Sequence, residues 1–163
     1  MRQFDEAISQ LKKALRRDSK SFEAHYRIGL SYIRNNQKEE GMRHLQTAHQ
    51  IEPNDIDTML KLCEIYLKED KMMKEAEQMS AKVIQLQDDL PEAYIIRGRI
   101  HENKNQQDEA LANFKKGLEI AKEQANPDQK QLISAHFHLG CQYEKIKEFK
   151  LSVFHFKQCL LFD

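Results

Sequence analysis

Small residues recur along this sequence at an interval close to 34 residues, each within a stretch whose apolar positions follow helical spacing. These small residues are Ala7, Gly41, Ala76, Ala110 and Ser152, and the intervals between them are 34, 35, 34 and 42. The residues four positions later are mostly large, and they are Leu11, Leu45, Ser80, Phe114 and Phe156. Apolar residues three to four positions apart line one face of a helix, so each stretch predicts an amphipathic α-helix.

A second series of small residues predicts another helix between successive members of the first series. Its members lie twelve residues, or in one case thirteen, before the next small residue of the first series, and they are Gly29, Cys63, Gly98 and Gly140. Four positions ahead of them stand His25, Met59, Tyr94 and His136. Three positions after them stand Tyr32, Tyr66, His101 and Tyr143. Two helices joined by a short turn are antiparallel neighbours, so the sequence predicts a series of helical hairpins.

The second interval resembles a tetratricopeptide repeat. It reads His25-Tyr26-Arg27-Ile28-Gly29-Leu30-Ser31-Tyr32, followed by Gly41, Leu45, Ala48 and Pro53. The family pattern is Trp-x2-Leu-Gly-x2-Tyr, then Ala, Phe and Pro, over about 34 residues. The chain resembles this family over essentially its whole length. The resemblance implies an all-α fold, a right-handed α-solenoid of antiparallel helix pairs that forms a tetratricopeptide superhelix.

Close helix packing explains why glycine recurs inside predicted helices. A glycine in an exposed helix interior costs about 1 kcal/mol relative to alanine. Its presence at 29, 98 and 140 is therefore expected only where the two helices of a hairpin approach closely. The large residues of the first series are expected to fill the space between one hairpin and the next.

The repeat register predicts one array over residues 1–163, with two irregular copies. The segments are 1–21, a half repeat with only the second helix; 22–55; 56–90, with a one-residue insertion near Lys71-Met72-Met73; 91–125; and 126–163, with a lengthened first helix and a truncated end. In the last repeat, Asn126 is expected to cap a helix whose first turn contains Pro127.

Both ends of the array are expected to be cut, because neither has a terminal unit with a polar outer face. The final predicted helix carries more apolar residues than its own hairpin covers. The predicted open C-terminal face consists of Phe154, Leu161 and Phe162. We expect this face to support self-association, so a homo-oligomer through the uncapped ends is one expectation.

Composition narrows the functional classes. The chain has 26 basic and 26 acidic residues and no basic block, which argues against nucleic acid as a partner. Its three cysteines are widely spaced and favour a reducing compartment. No signal peptide or apolar run of about 18 residues is evident, so no membrane interaction is expected. The expected location is the cytoplasm, with the nucleus and the cilium as alternatives.

The seven histidines do not predict a metal site. His136 and His138 are two residues apart and fall on different faces of a helix, whereas zinc ligands on a helix prefer a spacing of four. His25, His101 and His136 occupy positions where other repeats have aromatic residues, so they are interpreted as packing residues. Nucleophile-elbow, P-loop, zincin and dinucleotide motifs are absent. The prediction is no catalytic residue, no metal and no cofactor.

The resemblance implies a binding stripe along the concave side, formed by the first helix of each pair. The implied groove residues are Tyr26, Leu30, Ile33, Arg34, Leu60, Glu64, Leu67, Lys68, Ile95, Arg99, Glu102, Phe137, Cys141, Glu144 and Lys145. The wider stripe has six acids (Glu23, Asp57, Glu64, Glu92, Glu102, Glu144) and four bases (Arg34, Lys68, Arg99, Lys145). We expect its apolar floor to consist of Tyr26, Leu60, Ile95 and Phe137.

This stripe favours an extended or helical partner segment with Leu, Ile or Phe anchors and some Lys or Arg. One subgroup of the family binds acidic chaperone tails through a Lys/Asn/Arg clamp. Tyr26, Leu30, Glu92 and Ile96 stand where clamp residues would be needed, so chaperone-tail binding is not expected.

The predicted function is a non-catalytic scaffold or adaptor segment. It would hold a peptide or helix of a protein partner in its groove, within a larger complex. One alternative is the accessory domain of an enzyme whose catalytic part lies outside this chain. Another is an architectural superhelix that self-associates.

Overall fold

A computed structural model of the chain describes residues 2–69 and 72–161. Over these residues the fold is all-α, with nine helices and no strand. The helices are α1 (Arg2–Arg17), α2 (Phe22–Arg34), α3 (Lys38–Ile51), α4 (Ile56–Tyr66), α5 (Met73–Leu86), α6 (Pro91–Asn103), α7 (Gln107–Glu123), α8 (Gln129–Lys145) and α9 (Phe149–Leu161). None of the described helices is both long enough and apolar enough to cross a bilayer.

Side-chain caps fix the start of three helices. Ser21, Asp55 and Asp128 accept hydrogen bonds from the backbone N–H groups of Ala24, Thr58 and Lys130, at 3.3, 2.8 and 2.8 Å. These bonds satisfy amide groups that lack a partner in the first turn.

The cap predicted for α8 was wrong. Asp128 is the N-cap and α8 begins at Gln129, so Asn126 is not the cap and Pro127 lies ahead of the helix. The Asp128 carboxylate is the physical reason, because it accepts the hydrogen bond from an amide of the first turn.

Three hairpins end their first helix in the same way. Asn36, Asn105 and Lys147 have φ values of 61°, 57° and 63°, in the left-handed region. The next residue then donates its N–H to the carbonyl of the residue five positions earlier, as Gln37 does to Tyr32 at 2.8 Å. Gln106 and Glu148 make the same bond to His101 and Tyr143, at 2.9 and 2.8 Å. This pattern is a Schellman-type stop that satisfies carbonyls at the helix end.

The chain divides into two compact units, and the first is Met1–Lys68. Within it, α1 packs against α2, α2 against α3, and α3 against α4. A Cβ placed on Gly29 would lie 2.8 Å from Leu45 Cγ and 3.0 Å from the Gly41 carbonyl oxygen. Ile28, Leu45, Ala48, Met59 and Leu62 are fully buried. The predicted close approach of the two helices of this hairpin is therefore present.

The second unit is Glu69–Asp163, in which each of the helices α5 to α8 packs against the next one in the chain. A Cβ on Gly140 would lie 2.7 Å from Phe156 Cε1, which repeats the Gly29 and Leu45 relationship. Phe114 is fully buried, and its ring stacks on that of His138 at 4.9 Å. Leu45, Phe114 and Phe156 thus pack against a glycine of their own hairpin. Phe114 also contacts the next hairpin, as predicted.

The two predicted irregularities remain predictions about repeat boundaries. Helices α7 and α8 each have 17 residues, whereas α2 to α6 have 11 to 14. The predicted insertion near Lys71-Met72-Met73 lies partly outside the described residues, since residues 70 and 71 are not among them.

Candidate partner-binding surfaces

The first unit has an open cleft between α1 and α2, with a volume of about 350 Å³. Its lining residues are Leu11, Glu23, Tyr26, Arg27, Leu30, Ser31 and Arg34. We call it the α1–α2 cleft. Three predicted groove residues, Tyr26, Leu30 and Arg34, lie together in it. Helical spacing is the cause, because positions 26, 30 and 34 fall on one face of α2.

Charged and aromatic side chains determine which groups the α1–α2 cleft presents to a ligand. Glu23 pairs with Arg27 one turn along α2, and the ring of Phe22 stacks on Tyr26 at 5.8 Å. Burial raises the pKa of the Tyr26 phenol, with smaller contributions from Asp57 and Asp55, so Tyr26 stays protonated and able to donate. Arg34 is exposed. The cleft thus offers apolar side chains beside a guanidinium group.

The other predicted groove residues of the first unit lie elsewhere. Ile33 packs towards α3, since a Cβ on Gly41 would lie 2.5 Å from Ile33 Cγ1. Leu60 and Leu67 are only 4% and 7% exposed. The prediction that these two line an open groove was therefore wrong, because their side chains belong to the packed interior. Glu64 pairs with Lys61 at 3.1 Å, and Lys68 is exposed.

In the second unit, Glu102 is the centre of a polar network between α6 and α8. Its Oε1 accepts hydrogen bonds from Gln142 Nε2 at 2.7 Å and from Lys145 Nζ at 2.5 Å. Its Oε2 lies 3.8 Å from His138 Nδ1. Burial lowers the pKa of His138, and the nearby charge of Arg99 lowers it further. The Glu102 charge is thus largely compensated by its neighbours.

The α8 patch is defined here as Phe137, Cys141, Glu144 and Lys145, which lie on one stretch of α8 beside the Glu102 network. Phe137 is 51% exposed, and its ring centre lies 6.1 Å from that of Phe156. Burial raises the pKa of the Cys141 thiol, and Glu102 and Glu144 add to the effect. Glu144 and Lys145 are exposed. Phe137 is therefore the apolar element of this patch.

The prediction that Ile95 lies on an open apolar floor was also wrong. Ile95 is 5% exposed and belongs to a core cluster with Phe114 and Leu118. Its side chain also faces Gly117, whose added Cβ would lie 3.2 Å from Ile95 Cγ1. The predicted floor thus reduces to Tyr26 in the first unit and Phe137 in the second.

Sequence reasoning missed several residues of these surfaces. Leu11, Arg27 and Ser31 line the α1–α2 cleft, and His138 and Gln142 surround Glu102. Arg27 follows Glu23 by four residues, which signals an ion pair on a helix. The sequence gives no comparable signal for Gln142, because its partner Glu102 is 40 positions away.

The predicted open C-terminal face carries exposed apolar side chains. Phe154 and Leu161 are 51% and 73% exposed, whereas Phe162 lies outside the described residues. Phe149, Val153 and Leu160 on the same helix are exposed as well.

Across residues 2–69 and 72–161, no group of three or more His, Cys, Asp or Glu side chains is placed to hold a metal ion.

Comparison with protein families gives two matches. Residues 91–124 and residues 23–55 each match a tetratricopeptide repeat. Residues 23–55 lie in the first unit, and residues 91–124 lie in the second unit. A search of curated protein sequences finds no match.

Solved structures share the fold over nearly the whole chain. A crystal structure of MamA has a TM-score of 0.78 and 21% identity, covering 98% of this chain and 88% of MamA. The Cut9–Hcn1 hetero-tetramer of the APC/C has a TM-score of 0.83 and 18% identity over 99% of this chain and 31% of the matched one. PilF from Pseudomonas aeruginosa has a TM-score of 0.79 and 16% identity, covering 99% of this chain and 69% of PilF.

These findings confirm the all-α solenoid class that the resemblance implies. Proteins built from such repeats are typically non-catalytic scaffolds. Two segments of the chain thus match tetratricopeptide repeats, and the described residues have an α-solenoid fold. The general role of such repeats is protein–protein interaction.

Proposed function

We propose that the chain is a non-catalytic interaction scaffold. It holds a segment of a protein partner on the exposed face of the first helix of each hairpin. The observation that carries this proposal is the α1–α2 cleft. The family resemblance implied Tyr26, Leu30 and Arg34 as groove residues, and these three line one open cleft of about 350 Å³. A cleft with apolar walls and a few placed polar groups suits an anchored side chain.

The charges around the predicted groove residues indicate which residues a partner segment should carry. The sequence favoured a partner with Lys or Arg, because the stripe has more acids than bases. Three of those acids are compensated within the chain, since Glu23 pairs with Arg27, Glu64 with Lys61 and Glu102 with Lys145. Arg34 is exposed beside Leu30. These charges favour a segment with a Leu, Ile or Phe anchor and an acidic residue next to it.

The α8 patch is the corresponding surface of the second unit. Phe137 offers a half-exposed aromatic ring, and aromatic residues are enriched among the side chains that dominate interface energetics. Glu144 and Lys145 flank it with both signs of charge, which favours a polar rim around an apolar contact.

Substitution of Leu30 tests the proposal. The Leu30→Glu variant places a carboxylate in the cleft, and affinity purification followed by mass spectrometry identifies the partners that it retains. Leu86→Glu is the matched control, because Leu86 is an exposed leucine on α5. We expect Leu30→Glu to lose a partner that the wild type and Leu86→Glu both keep, with all three chains equally helical by circular dichroism. Retention of every partner by Leu30→Glu would refute the proposal.

A further inference from the structure

A pocket of about 430 Å³ lies in the second unit, between the turn that precedes α6 and the C-terminal half of α7. We call it the α6–α7 pocket. Its walls include Asp88 and Asp89 from the turn, Tyr94 from α6, and Ile120 and Glu123 from α7. Helix α5 packs against α6, and helix α8 packs against α7. The pocket therefore lies between helices of the chain on both sides.

One wall of the pocket is formed by an extension of α7. The repeat register aligns α3 with α7 by a shift of 69 residues, as Gly41 shifts onto Ala110. The last residue of α3, Ile51, then corresponds to Ile120, but α7 continues to Glu123. This wall is therefore specific to the α6–α7 hairpin and is not a property of every repeat.

In the α2–α3 hairpin, a ring with two nitrogen atoms occupies the corresponding place. The same shift relates Ser19 to Asp88, His25 to Tyr94, and His44 to Asn113. His25 Nε2 donates a hydrogen bond to the carbonyl oxygen of Ser19 at 3.3 Å, and His25 Nδ1 lies 3.0 Å from His44 Nδ1. The imidazole of His25 thus connects the turn to both helices of its hairpin.

The α6–α7 hairpin lacks this connection. Tyr94 has no ring nitrogen, and Asn113 Nδ2 donates to the carbonyl oxygen of Glu109 in its own helix at 2.8 Å. The turn carries the carboxylate of Asp88, which is exposed, where the other hairpin has Ser19. A ligand with N–H donors would therefore supply in this pocket what the imidazole supplies in the α2–α3 hairpin.

The charged residues of the pocket indicate that this ligand is a cation. The walls carry three acids, Asp88, Asp89 and Glu123, and one base, Lys116. Lys116 has its own partner, because it donates to Glu119 at 3.2 Å. This hydrogen bond raises the pKa of Lys116, and the charges of Glu119 and Glu123 add to the effect. The carbonyl groups at the C-terminal end of α7 contribute further negative potential.

The remaining walls of the pocket are aromatic and apolar. Tyr94 is half-buried, and Ile120 is 7% exposed. Gly117 allows α7 to lie close to α6 here, since a Cβ on Gly117 would be 3.4 Å from Tyr94 Cβ. A guanidinium group is planar and weakly hydrated, so it can stack on an aromatic ring while its N–H groups pair with carboxylates. An ammonium group is compact and strongly hydrated, which makes it a poorer fit.

We propose that the α6–α7 pocket binds a guanidinium group, which stacks on Tyr94 and donates hydrogen bonds to Asp88 and Glu123. The group would come from an arginine side chain of a polypeptide or from a small guanidinium compound. The pocket is separate from the α1–α2 cleft and the α8 patch, so this proposal goes beyond the proposed function.

An NMR titration of the ¹⁵N-labelled full chain with the peptide acetyl-Ala-Arg-Ala-amide tests the proposal. We expect saturable shifts of the backbone amide signals of Asp89, Tyr94 and Glu123. The same peptide with citrulline, a neutral isostere of arginine, should give no saturable shift. The lysine peptide should bind at least about threefold more weakly than the arginine peptide. Methylguanidinium identifies the source: equal affinity supports a small compound, and tighter binding of the arginine peptide supports a polypeptide.

Paired variants show whether the pocket or the general surface charge is responsible. Asp88→Asn combined with Glu123→Gln should weaken binding of the arginine peptide at least about tenfold, because two charge-assisted hydrogen bonds are lost. Asp108→Asn combined with Glu109→Gln is the matched control, since it removes the same charge at the other end of α7. Equal helicity by circular dichroism verifies both folds. Absence of saturable shifts, equal binding of the citrulline or lysine peptide, or equal weakening by the two double variants would overturn the proposal.

Discussion

Gly98 of α6 lies directly against the ring of Phe114 in α7, so that a Cβ on Gly98 would be 2.5 Å from Phe114 Cε1. Gly140 and Phe156 are related in the same way in the last hairpin, and Gly29 and Leu45 in the first unit. The residue pair is separated by 16 positions in each case. This relationship sets the separation of the two helices within a hairpin, and with it the position of the exposed face of the first helix.

Gly98→Ala is expected to destabilise the chain. The added methyl group gains up to about 1 kcal/mol of helix propensity, but overpacking against Phe114 costs about 1–3 kcal/mol. The urea midpoint measured by circular dichroism should therefore fall. Adding Phe114→Leu should recover part of the loss, since the smaller side chain makes room for the methyl group. A midpoint equal to that of the wild type for Gly98→Ala alone would contradict the packing account.

Lys147→Asn is expected to stabilise the second unit. Lys147 has a φ of 63°, a conformation that asparagine tolerates better than lysine, and Asn36 and Asn105 occupy the equivalent turns. We expect a gain of roughly 0.5 kcal/mol in the free energy of unfolding, read from the thermal midpoint. Asn105→Lys is the reciprocal control and should lower the midpoint. A lower thermal midpoint for Lys147→Asn, or a higher one for Asn105→Lys, would contradict this assignment.

His136 is expected to stay neutral well below pH 6. Its Nδ1 lies 2.9 Å from His155 Nδ1, and the side chain is buried. Burial lowers the pKa of His136 to about 4, with further contributions from the charges of His155 and Lys122. An NMR titration of the ring should show a midpoint near that value in the folded chain and near 6.5 in urea. A folded midpoint near 6.5 would contradict the buried-pair geometry.

This shift makes stability dependent on pH. The unfolded chain binds the proton first as the pH falls below about 6.5, so the free energy of unfolding decreases between that pH and about 4. A difference of roughly 2.5 pKa units corresponds to about 3 kcal/mol at the acid end. The pKa values of His44, His138 and His155 are also lowered, mainly by burial, and act in the same direction. The variant His136→Gln should show a smaller loss of stability between pH 7 and pH 4.5.

Cys63 is expected to resist alkylation in the folded chain. It is fully buried, and burial raises the pKa of its thiol to about 12, with a smaller contribution from Glu64. Only the thiolate reacts, so labelling by iodoacetamide at pH 8 should be slower at Cys63 than at the partly exposed Cys141 and Cys159. Mass spectrometry of timed samples gives the order. Labelling of Cys63 first would contradict its placement in the core.

The helical hairpins could be predicted because their determinants are local. Each glycine at 29, 98 and 140 is followed 16 positions later by a large residue, and this pattern indicates close packing of two helices. The structure places each such pair in contact. The histidines at 25, 101 and 136 were interpreted as packing residues, and of these three His136 is buried whereas His25 and His101 are half-buried. The Nδ1 contacts of His25 with His44 and of His136 with His155, each 19 positions away, had no signal in the sequence.

The candidate site was harder to predict because exposure is not local. Register placed Tyr26 and Leu60 at comparable positions of α2 and α4, but Leu60 is buried and Tyr26 lines a cleft. The sequence likewise offered both Asn126 and Asp128 near the start of α8, and the structure places Asp128 at the N-cap. Register identifies the face of a helix, whereas the packing of its neighbours decides which residues of that face reach the surface.

Site-specific photo-crosslinking tests the scaffold role most directly. A benzoylphenylalanine placed at Tyr26 or Phe137 reports whatever polypeptide contacts the α1–α2 cleft or the α8 patch, and the same group at Leu86 is the control. We expect crosslinks to a partner protein from position 26, position 137 or both, and none to that partner from position 86. Crosslinks to the partner from position 86, with none from positions 26 and 137, would contradict it.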